Sequence, residues 1–532
     1  METVKTLNAL GIGRNDRVAV VLPNGPELAS AFLAISSGAT FAPLNPAYRA
    51  NEFDFYLSDL GAKALIVQPE TDTPAIAVAR HHSIPVIELS PAVEHLAGTF
   101  SLWGKEQLLP SHGGFAQEED IALLLYTSGT TSRPKMVPLT HSNLVTSAGN
   151  IAATLQLTEK DRCLNVMPLF HIHGLVGAIL SSVMAGASVV CPPGFDAEKF
   201  FAWLDEFQPT WYTAVPTIHQ AVLSCAAAHR EMLRRRPLRF IRSSSAALPL
   251  RVMHQLEELF GTPVIEAYGM TEASHQIASN PLPPGTRKAR CVGLPAGIEL
   301  AVVDNDGNTI RSGQTGEIVI RGATITAGYT NDTKDNEEGF RHGWFRTGDQ
   351  GYLDADGYLF ITGRFKEIIN RGGEKISPHE VDEVIMDHPA VAQAATFAVP
   401  HSALGEEIAA AIVLRQNATV TDKEILEFAA QNLAAFKVPR KVFIVDEIPV
   451  GPSGKVQRID LAKRFGLTNS SQQTEGTRAK FVPPRTPLEK KIVKIWAQLF
   501  GLALIGVHDN FFDLGGHSLL AMSLIAQIEK NF

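Results

Sequence analysis

The sequence predicts an α/β protein with a large N-terminal lobe of parallel sheets and a β-rich subdomain, a small α+β lobe, and a final helical unit. Three observations carry this reading. Short apolar runs alternate with helix-like stretches through the first half of the chain. From Val292 to Phe360 the texture changes to short β-type runs broken by Asp-Gly turns. A polar stretch, Thr468 to Lys480, then separates everything before it from two amphipathic helix patterns.

In chain order, Val18–Leu22 and Ala64–Val67 are unbroken apolar runs of strand length, as expected of strands covered on both faces, and Glu27–Ser37 reads as a helix between them. Ile121–Leu125 is a further strand. In the β-rich unit, Ile298–Val303, Glu317–Ile320 and Tyr358–Ile361 are strands, with Asp306-Gly307 and Asp356-Gly357 as turns. After Gly363 a strand and helix pattern resumes at Val391–Val399, Ile408–Leu414 and Asp422–Asn432 and ends near Phe465. Past the linker, Thr486–Phe500 and Ser518–Lys530 are helices, the second with Leu520, Leu524 and Ile528 on one face. The expected domains are 1–363, 364–466, a linker 467–481, and 482–532.

Composition excludes several classes. With 532 residues, 45% hydrophobic and 19% charged, the chain is globular and too long for one core. A net charge of −8 gives no positive field for nucleic acid or an anionic membrane. The four cysteines, Cys163, Cys191, Cys225 and Cys291, form no CxxC pair, so neither a zinc ribbon nor a disulfide framework is expected. No apolar run reaches the roughly 18 residues of a membrane span, the opening segment lacks the apolar core of a secretory signal, and Lys530-Asn531-Phe532 is not a peroxisomal address. A cytoplasmic location is expected.

The segment Tyr126 to Lys135 follows a strand and offers Thr127, Ser128, Gly129, Thr130 and Thr131 before a closing Lys135. Hydroxyls, backbone N–H groups and a cation suit a polyphosphate, although the spacing is not that of a P-loop; read alone, the segment could also be a Ser/Thr-rich turn. Further motifs follow in order: Glu266-Ala-Tyr268-Gly-Met-Thr271-Glu272, Gly316-Glu317 with Gly328-Tyr329, Gly343 to Asp349, Gly363-Arg364-Phe-Lys366, and Pro449 to Lys455. As an ordered set spanning most of residues 1–465 they resemble the adenylate-forming enzymes: acyl-CoA synthetases, luciferases and nonribosomal peptide synthetase adenylation domains.

The resemblance implies ATP-dependent activation of a carboxylic acid to an acyl-AMP, followed by transfer to CoA or a phosphopantetheine thiol. It implies that Glu272 holds Mg²⁺, that Thr271 and the 127–135 loop hold phosphates, and that Tyr268 stacks on adenine. Asp349 then takes the ribose hydroxyls, with Arg364 on the same side. Lys455 reaches the acid and the α-phosphate, Lys366 marks a hinge about which the small lobe rotates, and Gly372 and Gly373 line the thiol path. Ser132 and Met136 stand where members of the family more often carry glycine, which bears on the shape of the loop and leaves its hydroxyls in place.

The acid is narrowed by what is missing. Domains specific for α-amino acids carry an Asp near the segment Met167 to Gly174, and here that segment has no acidic residue. The neighbouring His171, Arg242, Ser243, Ser245 and His275 supply donors and positive charge, which suit a second anionic group better than an amine. Thr210 to Gln220, Leu238 to Ala246, Asn370 to Pro378 and Asn432 to Pro439 resemble the oxalate–CoA ligases, which implies that Ser245 and His275 hold a distal carboxylate. His275 could equally be a satisfied core histidine.

Finally, Asp509 to Leu520, with Asp513-Leu-Gly-Gly-His517-Ser518 at its centre, resembles the phosphopantetheine attachment motif of carrier proteins. The resemblance implies a 4′-phosphopantetheine on Ser518, a phosphopantetheinyl transferase as partner, and a segment covering the first two of a carrier's four helices. The start likewise falls near where relatives already have an earlier strand and helix. Two other outcomes stay open: a synthetase-like protein that loads only its own Ser518 with an aryl or amino acid, and a luciferase-like oxygenase.

Overall fold

The computed structural model describes residues 1–105, 110, 112–127, 134–330, 332–401, 404–451, 455–467, 481–500, 504–509, 524 and 528. Two seven-stranded sheets build the large lobe. In the first, Arg17–Val21, Thr40–Pro43, Ala64–Val67, Val86–Pro91 and Ile121–Thr127 pair in parallel, with antiparallel edges at Phe100–Trp103 and Lys135–Thr140. Period-two alternation divides its apolar side chains between two cores. Val18 and Val20 join Phe32 and Ile35 of the helix Pro26–Ser36 on one face. Ala19 and Val21 join Phe53 and Leu57 of the helix Ala50–Leu60 on the other.

In the second sheet, Arg162–Asn165, Ser188–Val190, Trp211–Ala214, Phe240–Ser243 and Val264–Met270 are parallel, and His275–Ser279 and Leu294–Pro295 close it antiparallel. Between the sheets runs a π-helix, His173–Leu180, whose Leu175, Val176 and Ile179 pack with Val18 and Phe32 of one side and Trp211 and Phe240 of the other. A π-helix places side chains off the 3.6-residue period and is common at functional sites.

The β-rich unit is a five-stranded sheet of Glu299–Val303, Gly316–Arg321, Trp344–Leu353, Phe340–Arg341 and Leu359–Arg364. Its last strand ends at Arg364, opposite Asp349, and a turn follows in which Phe365 N–H donates to the Gly348 carbonyl at 3.1 Å. The small lobe begins beyond that turn with Ile369–Arg371. Its sheet holds Glu374–Ile376, Val391–His401, Gly405–Leu414 and Lys441–Ile444, and only the last pairing is parallel. The helices Pro378–Met386 and Arg458–Arg464 pack against this sheet, and Asp422–Asn432 begins at Thr421 with a capping box.

Among the described residues, an ion pair and a hydrogen bond link the helix Pro378–Met386 to the large lobe. Arg290 Nε lies 3.3 Å from Glu383 Oε2, and Arg251 Nη1 donates to the Met386 carbonyl at 3.5 Å. Towards the end, the helix Pro487–Phe500 has a buried Ile495. The expected linker and most of the second terminal helix, Ser518 included, lie outside the described residues. Among the described residues no helix is long and apolar enough to cross a membrane.

Candidate active site

The strand Ile121–Thr127 pairs antiparallel with Lys135–Thr140, which sets Thr127 opposite Lys135. Ser128, Gly129, Thr130 and Thr131 lie outside the described residues. Lys135 pairs with Asp335, and its Nζ is 4.7 Å from the centre of the Tyr329 ring. Tyr329 in turn donates its hydroxyl to Glu272 Oε1 at 2.8 Å. Glu272 is buried in the short turn Thr271–Ala273, and its carbonyl accepts from Thr326 N–H at 2.8 Å. Lys366, in the turn after Arg364, adds its positive field at the Asp335 carboxylate. Glu272, Lys135, Asp335 and Lys366 therefore share one charged region, with Thr271 next to Glu272 in the same short turn.

A second group lies beside it. Asp349, 4% exposed, accepts from Arg364 Nε at 2.6 Å and from the hydroxyl of Tyr268. Burial, and then the charge of Asp349, hold the Tyr268 phenol far above its ordinary range. The structure thus joins Tyr268, Asp349 and Arg364 in one hydrogen-bonded group, with the phenol as a donor to the carboxylate.

Lys455 comes from the small lobe and stands within the electrostatic reach of both regions. Burial and then Arg364 lower its pKa, while Asp349 and Glu272 oppose the shift. Its charge is also felt at His171, which burial pushes down to about 3. Gly372 and Gly373 form the hairpin turn between Ile369–Arg371 and Glu374–Ile376, with φ of 60° and 98°, a conformation that glycine adopts without strain.

The acid side of the site is a buried polar cluster. Arg242 donates from Nη1 to His275 Nε2 at 2.9 Å and from Nη2 to Gln276 Oε1 at 3.0 Å. The His275 ring stacks on that of His173, with centroids 4.9 Å apart and planes at 25°. His173 bridges Ser245 Oγ at 3.1 Å and Thr213 Oγ1 at 2.6 Å. Burial, reinforced for His173 by His275 and for His275 by Arg242, keeps both rings neutral. His171 Nδ1, Arg242 Nε, Ser243 Oγ and Ser244 Oγ are buried without a hydrogen-bond partner. Ser245 and His275 hold φ of 74° and 97°, a region that costs a non-glycine residue about 1 kcal/mol or more.

Ser245, His275 and His171, singled out from sequence, fall in this one region, with Ser245 and His275 joined through His173. His173 itself was given no role on sequence grounds, although it lies two residues from His171. The signal was Gly177, one turn along the π-helix, where a Cβ would sit 2.5 Å from His275 Nε2. Only a glycine leaves room there for the stacked pair.

A buried polar cluster on the second sheet and the π-helix, a buried carboxylate bound to an arginine and a tyrosine, and a small lobe that supplies a lysine are the parts of an adenylate-forming acid–thiol ligase. Residues 5–330 match the AMP-binding enzyme family, 380–455 its C-terminal domain and 490–532 the phosphopantetheine attachment site. The chain belongs to the AMP-binding enzyme family. It is 48% identical over 465 residues to the oxalate–CoA ligase of Arabidopsis thaliana, an alignment covering 86% of this chain and 89% of that protein. To the sulfoacetate–CoA ligase of Cupriavidus necator it is 38% identical over 459 residues, covering 85% and 88%.

Among solved structures, ATP-bound MatB from Rhodopseudomonas palustris superposes with a TM-score of 0.77 at 29% identity, covering 87% of this chain and 91% of that one. The same protein without ligand gives 0.67 over the same coverage. The shape of this chain is thus nearer to the ATP-bound form.

Proposed function

We propose that the chain activates a small acid carrying a second anionic group, oxalate fitting best, and passes the acyl group to CoA. The observation that carries this reading is the Arg242–His275–His173–Ser245 cluster: donors and one buried cation, with no carboxylate among the partners of these four side chains in the described residues. A pocket so built offsets the desolvation of a second carboxylate with donors and a charge, and offers an ammonium no such compensation. The names of the relatives above, an oxalate ligase and a sulfoacetate ligase, agree in kind, since both acids carry two anionic groups.

In the first half-reaction a carboxylate oxygen attacks the α-phosphorus of ATP and pyrophosphate leaves. Lys455 neutralises the charge that builds between the two anions, and Lys135, Thr271 and the Thr127 to Thr131 loop receive the β- and γ-phosphates. Asp349 and Arg364 hold the ribose side, with Tyr268 against the adenine. Among the described residues no three His, Cys, Asp or Glu side chains converge as a metal cage. A Mg²⁺ bound chiefly through ATP phosphates needs only one carboxylate, and Glu272, buried and oriented by Tyr329, fits that part. In the second half-reaction a thiolate sulfur attacks the acyl carbon and AMP leaves; the small lobe turns about Lys366, and Gly372 and Gly373 flank the arriving arm.

The carrier match leaves Ser518, modified by a phosphopantetheinyl transferase, as a second acceptor. A cytoplasmic setting is part of the same proposal. ATP–pyrophosphate exchange across oxalate, malonate, acetate, a medium-chain fatty acid, an aryl acid and amino acids tests the acid; a peak on an amino or aryl acid overturns the diacid reading. CoA turnover by Ser518→Ala tests the acceptor: full turnover supports CoA, and its loss supports self-loading.

A further inference from the structure

Arg242 lies on Phe240–Ser243, a strand with parallel neighbours on both sides, and is 0% exposed. A guanidinium buried that deeply is ordinarily matched by a carboxylate. Here both partners, His275 Nε2 and Gln276 Oε1, are neutral, Nε has none, and among the described residues no acid forms an ion pair with it. The charge persists: burial lowers the guanidinium pKa only to about 10.

We propose that Arg242 is the positioning residue that makes this pocket select a doubly anionic acid. It fixes His275 as a neutral ring protonated on Nδ1 and places an unneutralised positive charge directly behind that ring. The proposal rests on the diacid reading above. The hydrogen-bond logic is forced, because a guanidinium has no acceptor; at 2.9 Å from Nη1, His275 Nε2 must accept, and the one ring proton of neutral His275 must sit on Nδ1. His173, stacked on the other face of the ring and anchored by Thr213 and Ser245, stops it from turning away. Gln276 takes the remaining arm of the fork, so the guanidinium plane is fixed as well.

A distal carboxylate near His275 therefore meets a donor backed by a full charge, whereas a distal amide of the same shape meets the donor alone. A charge about 8 Å away across the ring, at an effective dielectric of about 20, discriminates between them by about 30-fold. The pair that tests this is oxalate against oxamate, in which an amide replaces one carboxylate. Wild type should prefer oxalate by about 30-fold in kcat/KM, chiefly through KM.

In Arg242→Met the preference should collapse to a few-fold, with oxalate losing most and the KM for ATP unmoved. Arg242→Lys, which keeps the charge and loses the fork, should retain about a third of the preference or more. An unchanged preference in Arg242→Met, an equal loss on both acids, or a wild type indifferent to the two overturns the assignment. If Arg242→Met does not fold, a Lys variant that folds yet shows no preference overturns it as well. A wild type that activates only monoacids fails differently: it removes the diacid reading itself, and this inference with it.

Discussion

Replacing Gly177 by alanine adds one methyl group to the wall of the acid pocket. The new Cβ would lie 2.5 Å from His275 Nε2, 2.7 Å from His275 Cδ2 and 3.2 Å from His173 Cδ2. Ordinary carbon contacts begin near 3.5 Å, so the His275 ring must retreat by about 1 Å. The displaced atom is the one that accepts the 2.9 Å bond from Arg242. A misplacement of about 1 Å in a positioning group costs on the order of 100-fold in rate. Overpacking costs about 1–3 kcal/mol of stability, partly offset by the roughly 0.5–1 kcal/mol gained when alanine replaces glycine in a helix. Gly177→Ala should therefore fold, with a Tm lowered by a few degrees, and lose about 100-fold in kcat/KM for its acid in pyrophosphate exchange. Its KM for ATP should stay within twofold of wild type. Near-normal acid kinetics would show that the stacked histidines do not set the acid site, and an equal loss for ATP and acid would point to general damage.

The other expectations concern the lobes and buried carboxyls. Lys455→Ala should lower acyl-AMP formation by at least about 100-fold and leave thioester formation from supplied acyl-AMP largely intact; equal loss of both half-reactions would contradict this division of labour. Glu383→Arg sets two like charges where Arg290 now pairs across the lobes at 3.3 Å, and should reduce pyrophosphate exchange about fivefold, for about 1 kcal/mol, without slowing transfer from supplied acyl-AMP. A loss confined to the transfer step would count against it. Burial lifts the Glu266 carboxyl from 4.5 to about 8, while its Oε1 accepts from Leu248 N–H at 3.1 Å. The folded state therefore keeps a proton that the unfolded chain loses between those values, and stability falls by up to about 1.4 kcal/mol per pH unit as pH rises through that window. Glu266→Gln should gain on wild type between pH 5 and pH 8 by about 2 kcal/mol or more in urea unfolding; parallel pH profiles would refute this.

Much of the architecture was legible because it rests on local pattern. Val18–Leu22 and Ala64–Val67 are strands within a residue of the expected bounds, and the helix Asp422–Asn432 spans the expected residues, since unbroken apolar runs and a Thr-x-x-Glu cap are read within one segment. The site was legible only where a motif named it. The junction of Tyr268, Asp349 and Arg364 depends on a register between two strands, and Thr127 opposite Lys135 on an antiparallel pairing that the apolar run alone did not announce. His173 and Gly177 were silent because their meaning lies in a ring contributed by a strand about a hundred residues further on, and in a π-helical turn that no helical period displays.

The lowered pKa values of His171, His173 and His275 and the retained charge of Arg242 have one further consequence. Burial holds the three histidines towards their neutral form while Arg242 keeps its charge, so the charge of the cluster is carried by Arg242 and not by a titrating histidine. The pocket's choice of acid is then insulated from acidification of the surroundings, even when the substrate is itself the source of that acid. The pH dependence of turnover is then expected from other groups, among them the attacking thiol and Lys455, whose pKa burial lowers. An enzyme that met its substrate through a titrating histidine would instead change its preference with the state of the cell.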